Sequence, residues 1–198
     1  RLCGKIYARK GSYEKSVLCL QKALVLSRNL ELHNEAEQAQ SALAYQHFWA
    51  GFVKEAKNDF TDLWERAQQR QDLPLIIRYT YMLGEIARAQ NNPQLAEQFF
   101  RKSISIAKPA GNRLAVANGL AAISLVKSNK NAKDALTICR QSLQIFKDLN
   151  NPKELAHAEL IKARIEMLLN ETSKAEKTFA GDVHALKVQF VNKNKMPY

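Results

Sequence analysis

Residues 83–104 have the sequence LGEIARAQNNPQLAEQFFRKSI, and this stretch decides the fold. Its two halves are rich in good helix formers and flank Asn91-Asn92-Pro93. Asparagine beside proline is typical of a turn that leads into the first turn of a helix. The stretch therefore predicts a helical hairpin.

The same pattern recurs along the chain with a period of about 40 residues. One register holds a small residue at Ser16, Ala56, Ala96, Ala135 and Ala175. Large residues follow it four positions later at Leu20, Phe60, Phe100, Cys139 and Phe179, and eight positions later at Leu24, Trp64, Ile104, Leu143 and Val183. Five positions before the small residue lie Gly11, Gly51, Asn91, Lys130 and Asn170. We expect a tight turn at this last register, because glycine and asparagine tolerate a left-handed backbone.

Helices are predicted for nearly the whole chain. The 198 residues include only 5 prolines and 7 glycines, and the alternating runs typical of strands are missing. The small register fits a close crossing of two helices, and the large residues share that face of the second helix. We predict helices near 1–10, 12–29, 33–50, 53–70, 73–90, 92–108, 112–128, 131–148, 151–169 and 172–190.

Residues 2–24, LCGKIYARKGSYEKSVLCLQKAL, and residues 83–104 resemble tetratricopeptide repeats (TPR). The first unit supplies the motif residues Cys3-Gly4, Tyr7, Gly11-Ser12-Tyr13, Ser16 and Ala23. The resemblance implies an all-α, right-handed α-α superhelix (TPR solenoid) of about five helical hairpins. The long period, and Arg28, Gln68, Lys108, Lys147 and Lys187 in place of the family's proline, imply lengthened helices. This style is similar to MalT-type and Rap-type regulators, kinesin light chains and LGN-like scaffolds.

We predict one TPR-like solenoid over residues 1–190. Its units are expected at about 1–32, 33–72, 73–111, 112–150 and 151–190, followed by a polar tail at 191–198. Arg1 falls inside a helical pattern, which suggests a fragment of a longer protein.

The resemblance also implies a ligand-binding concave groove, lined by the first helix of each unit. The positions carried over for this groove are Lys5, Arg9, Tyr45, Trp49, Arg78, Tyr81, Glu85, Arg88, Lys127 and Arg164, and Gln38 and Ser41 are further positions on the inward face. Arginine and lysine favour carboxylates, and Tyr and Trp supply contact area with a polar tip. We therefore expect an acidic peptide or partner helix. The alternative for Tyr45 and Trp49 is packing against a neighbouring hairpin.

The charge balance leaves other partners open. The chain carries 30 basic and 19 acidic residues, a net charge of +11. This excess fits acidic proteins, nucleic acid, or a merely solvated basic exterior. A further alternative is a structural or sensory TPR segment of a larger complex, in which uncapped ends could self-associate.

Catalysis, cofactors and metals are not expected. The four histidines are scattered along the chain with no ligand at metal-binding spacing, and the glycine-rich, GxSxG and HExxH motifs are missing. Cys3, Cys19 and Cys139 have no activating base in the pattern, and unpaired cysteines favour an intracellular, cytoplasmic setting. With no apolar run of 18 residues, no membrane span is predicted.

Overall fold

The structure, a computed structural model, describes residues 12–169. These residues form eight α-helices and no strand. The helices are α1 (Tyr13–Asn29), α2 (His33–Trp49), α3 (Val53–Gln69), α4 (Leu73–Ala89), α5 (Pro93–Ala107), α6 (Arg113–Lys127), α7 (Ala132–Asp148) and α8 (Pro152–Leu168). Each lies within one residue of its predicted bounds. The predicted helices near 1–10 and 172–190, and the tail, lie outside the described residues.

The chain divides into two compact units between Ile106 and Ala107. The first contains α1 to α5, and the second contains α6 to α8. The all-α fold class is confirmed, and the eight described helices amount to about four hairpins. The assignment of residues 1–190 to one domain of five units stays a prediction.

Six of the eight described helices are followed by the same left-handed turn. A residue with a positive φ follows the C-cap of five of them and lies four residues after the end of α5, and two backbone N–H groups bond to carbonyls three and five residues earlier, as in a Schellman motif. The left-handed residues are Glu31, Gly51, Gln71, Asn91, Gly111 and Asn150. The sequence predicted this turn at Gly51 and Asn91, and the structure shows it there. It missed the other four.

The prediction is wrong at Lys130, which lacks a positive φ. The N–H groups of Lys130 and Asn131 both bond to the Lys127 carbonyl, and Ser128 keeps a right-handed helical backbone. A left-handed lysine would cost roughly 1–2 kcal/mol. The turn between α6 and α7 therefore avoids that conformation.

Side-chain caps start the helices from α4 onward. Asp72, Asn92 and Asn151 each accept a hydrogen bond from the backbone N–H three residues later, at 3.2, 3.1 and 3.3 Å. The cap at Asn92 stands at the asparagine–proline turn that the sequence predicted. Asn112 and Asn131 make the equivalent bond at 3.0 and 3.1 Å.

The small register is where the two helices of a hairpin come closest. Ser16, Ala56, Ala96 and Ala135 are fully buried, as are Phe60, Phe100 and Cys139 four positions later. Between α4 and α5, the space above Gly84 is filled by the Phe100 ring. A Cβ at position 84 would lie 2.5 Å from Phe100 Cε1. The bulk of this phenylalanine therefore requires glycine on the facing helix.

Polar links hold α2 against α3 along their length. Gln40 donates to Asp62 at 2.7 Å and accepts from Arg66 at 3.1 Å, and His47 lies 2.8 Å from an Asp59 oxygen. Burial raises the pKa of Asp62, but hydrogen bonds from Arg66 and Gln40 outweigh it and hold that pKa below its ordinary value. These links fix the height of α2 relative to α3.

Replacing Gly84 with alanine should lower the free energy of unfolding by about 1–3 kcal/mol, the usual cost of overpacking a filled core. Urea denaturation measures the change. The double variant Gly84→Ala/Phe100→Leu is the control, because a smaller residue at 100 should recover part of the loss. A single Gly84→Ala variant that is more stable than the wild type would contradict the contact with Phe100.

Replacing Gln71 with glycine should raise the free energy of unfolding by about 0.5–1 kcal/mol. Glycine removes the cost of roughly 1–2 kcal/mol that a residue with a Cβ pays in the left-handed conformation. It adds a destabilising cost of about 0.5–1 kcal/mol, because its backbone loses more entropy on folding. Gln90→Gly is the matched control, since Gln90 has φ −82° and should lose stability. Thermal melts of both variants give the change in Tm. Equal changes in Tm for the two variants would contradict backbone strain at Gln71.

Candidate functional site

A groove of about 740 Å³ lies between α2 and α4, inside the first unit. Its volume is within the range of ordinary ligand sites. It is lined by Asn34, Glu37, Gln38, Ser41, Ala42, Tyr45, Arg70, Asp72, Pro74, Leu75, Arg78 and Tyr79. We call this feature the α2–α4 groove.

The groove follows from helical spacing. Its α2 residues recur three or four positions apart from Asn34 to Tyr45, so they form one stripe along that helix. Arg78 and Tyr79 face the stripe from α4, and the α3–α4 turn contributes Arg70 and Asp72. The predicted hairpins make α2 and α4 the first helices of consecutive units.

The acidic side chains of the groove are occupied by internal bonds. Glu37 and Arg70 form a two-pronged ion pair with oxygen–nitrogen distances of 2.7 and 2.8 Å. The Asp72 carboxylate caps α4 through the Leu75 N–H. Arg78, in contrast, is exposed and forms no ion pair within the described residues. Its charge is the part of the groove available to a ligand.

Two tyrosines form the aromatic part of the groove. The Tyr45 ring packs edge-on against Phe60, with centroids 5.1 Å apart, and its hydroxyl hydrogen-bonds with the Arg78 guanidinium. Burial raises the pKa of Tyr45, and the charge of Arg78 offsets part of the rise. Burial likewise raises the pKa of Tyr79, which hydrogen-bonds with Ser41. Both hydroxyls are therefore protonated at neutral pH.

The structure brings four of the predicted inward-facing residues, Gln38, Ser41, Tyr45 and Arg78, into the α2–α4 groove. Lys5 and Arg9 lie outside the described residues. Lys127 and Arg164 belong to the second unit, and Lys127 is paired with Asp134.

Four further predicted residues of the first unit do not line this groove. Glu85 and Arg88 neutralise each other at 2.7 Å. Tyr81 packs against Phe100 with ring centroids 5.3 Å apart. Trp49 is 75% exposed and contacts Phe48 edge-on at 5.3 Å. Tyr45 thus combines groove and core contacts, while Trp49 is largely free of packing.

Sequence reasoning missed eight of the twelve residues that line the groove. The missed residues are Asn34, Glu37, Ala42, Arg70, Asp72, Pro74, Leu75 and Tyr79. The spacing of Asn34 and Glu37 from Gln38 and Ser41 was a usable signal, since all four share one helix face. The Glu37–Arg70 pair joins residues 33 apart, and no local pattern marks it.

The described residues offer little for catalysis. They contain no group of three or more His, Cys, Asp or Glu side chains able to hold a metal ion. Burial raises the pKa of the Cys139 thiol to about 11, so it is protonated and a poor nucleophile at neutral pH. Within the same range, none of the helices combines the length and apolarity that crossing a membrane requires.

Comparison with known proteins supports the fold. The Tetratricopeptide repeat family model matches residues 3–30 and 77–109. No curated protein sequence matches the chain. Among solved structures, a putative kinesin light chain with nearly identical TPR-like repeats from Podosopora anserina superposes with a TM-score of 0.68 at 13% identity. The match covers 96% of this chain and 93% of that one.

Two longer proteins are also similar. Aspartyl phosphate phosphatase F from Bacillus subtilis has a TM-score of 0.77 at 15% identity, covering 96% of this chain and 49% of its own. A Rap protein complexed with Competence and Sporulation Factor has a TM-score of 0.70 at 14% identity, covering 96% and 60%. The chain thus spans less than two thirds of both. Two segments of the chain thus match the Tetratricopeptide repeat family model, and the chain shares the fold of these solved structures.

Proposed function

We propose that this TPR scaffold binds a peptide or partner helix in the α2–α4 groove. The observation that carries the proposal is the charge distribution of the groove. Glu37 and Asp72 are held by internal bonds, whereas Arg78 lies exposed beside Tyr45 with its charge unneutralised. A carboxylate entering the groove would meet a guanidinium and a hydroxyl at one place.

The expected partner segment is acidic but carries few carboxylates. The groove carries two arginines and two acids, so its net charge is close to zero. A run of several carboxylates would face Glu37 and Asp72 as well as Arg78, and like charges repel. A segment with one carboxylate and a neighbouring apolar side chain fits better, because Leu75 and Tyr45 provide apolar contact.

The structural neighbours lend general support. The Rap protein was solved in complex with Competence and Sporulation Factor, so a chain of this fold forms a complex with a second molecule. Phosphatase F is named for an enzymatic activity, but at 15% identity the likeness shows the fold alone. We propose a cytoplasmic binding module without catalysis of its own.

A structural or sensory segment of a larger complex is the second candidate. The outward side of α1 favours it, because Leu18, Val25, Leu26 and Leu30 are each more than half exposed. Such a surface suits lateral packing or self-association better than capture of a short peptide. In that case groove variants would leave assembly unchanged.

Arg78→Gln should weaken peptide binding by about 10- to 100-fold, since a hydrogen bond to a charged group contributes about 1.5–3 kcal/mol. The probes are fluorescein-labelled peptides selected from a random 12-residue library against the wild-type protein. Fluorescence anisotropy gives their Kd.

Arg88→Gln is the matched control, because Arg88 is already neutralised by Glu85 and does not line the groove. It should change Kd by less than about twofold, within the usual range for a rim charge. Equal losses in both variants, or selected peptides that lack a carboxylate, would rule out recognition through Arg78.

A further inference from the structure

A row of polar side chains runs along the outer face of α7. Its members are Lys133, Thr137, Arg140, Gln144 and Lys147, which we call the α7 row. Their separations of four and three residues place them on one helix face, and all five are exposed. The three cations follow one another every seven residues, or about 10.5 Å, along about 21 Å of helix.

The charges of the second unit leave these cations without counter-ions. Among its described residues, every acidic side chain is already in an ion pair with another basic residue. The pairs are Lys127–Asp134, Arg113–Asp148, Lys153–Glu154, Lys162–Glu159 and Lys162–Glu166. None of them involves a cation of the α7 row. The row is therefore a line of positive charge that nothing in the described part of its unit neutralises.

Equivalent positions of other helices do not repeat this feature. Two repeats earlier, the positions equivalent to the three cations hold Lys54, Thr61 and Gln68 on α3, so only one of the three is a cation. One repeat earlier, α5 carries Gln94, Arg101 and Lys108, and Arg101 is paired with Glu97 at 2.6 Å. The unpaired line of three is thus a property of α7 rather than of the repeat.

We propose that the α7 row binds the phosphate backbone of nucleic acid. Its lysines and arginine supply the phosphate contacts, whereas Thr137 donates to the Lys133 carbonyl and Gln144 donates to the Asp148 carboxylate. The row contains no aromatic or aliphatic residue, whereas the centre of a protein interface and a membrane-inserting helix both need apolar anchors.

The binding is sequence-independent and salt-sensitive. No aromatic ring of the row can stack on a base, so contacts are limited to phosphate. Three neutralised phosphates give a slope of about −2 in the dependence of log affinity on log salt for a single strand. This surface is separate from the α2–α4 groove, and the proposal does not rest on the proposed peptide binding.

The test uses a fluorescein-labelled 20-residue oligouridine RNA and anisotropy titrations between 50 and 200 mM salt. The variant Lys133→Gln/Arg140→Gln/Lys147→Gln removes the three cations and keeps good helix formers. The wild-type affinity should fall about 16-fold more than that of the variant over this fourfold salt range. At 50 mM salt the variant should already bind more weakly than the wild type.

The control Lys22→Gln/Lys54→Gln/Lys57→Gln removes the same net charge from exposed positions of α1 and α3. It should bind the RNA as the wild type does. The proposal is overturned if the wild type does not bind at 50 mM salt, or if both triple variants lose affinity equally. It is also overturned if the α7 variant loses binding to polyglutamate or to anionic phosphatidylserine vesicles while its RNA binding is unchanged.

Discussion

The close approach of two helices at the small register is the constraint on which the structure depends. Ser16, Ala56, Ala96 and Ala135 are fully buried because a neighbouring helix lies directly against them. At that distance a large side chain on one helix needs an empty position on the other, as the Phe100 ring needs Gly84. Repeating this contact about every 40 residues sets the hairpin geometry, and the loops need only be short enough to permit it.

Turns and caps convert this packing into a binding surface. The left-handed residues Glu31 and Gln71 end α1 and α3 abruptly, and α2 and α4 each begin two residues later. The Asp62 links then hold α2 against α3, and Asp72 both caps α4 and lines the groove. Because the Asp72 carboxylate accepts a hydrogen bond from the Leu75 N–H, its negative charge is already engaged inside the protein. The helix packing thus forms the groove, and a few polar side chains determine the chemistry of the groove.

Periodicity and family resemblance predicted the helices almost to the residue, and Tyr45 and Arg78, both predicted as inward-facing, line the same groove. They could not predict the charge balance of the groove, because the pairing of Glu37 with Arg70 depends on how α2 lies beside the α3–α4 turn. Nor could residue type reveal the left-handed turns at Glu31 and Gln71, since neither residue favours that backbone. The spacing of residues along one helix can be read from a short stretch of sequence. An ion pair between two helices joins residues that are far apart in the sequence.

The most direct test of the account is photocrosslinking from the groove itself. Benzoylphenylalanine at Gln38, an exposed groove residue, should crosslink to the selected peptides, and excess unlabelled peptide should compete the product away. The same group at Gln98, exposed on α5 and outside the groove, should give no such product. Crosslinking from position 98 but not from position 38 would contradict the central claim that the α2–α4 groove is where this protein holds its partner.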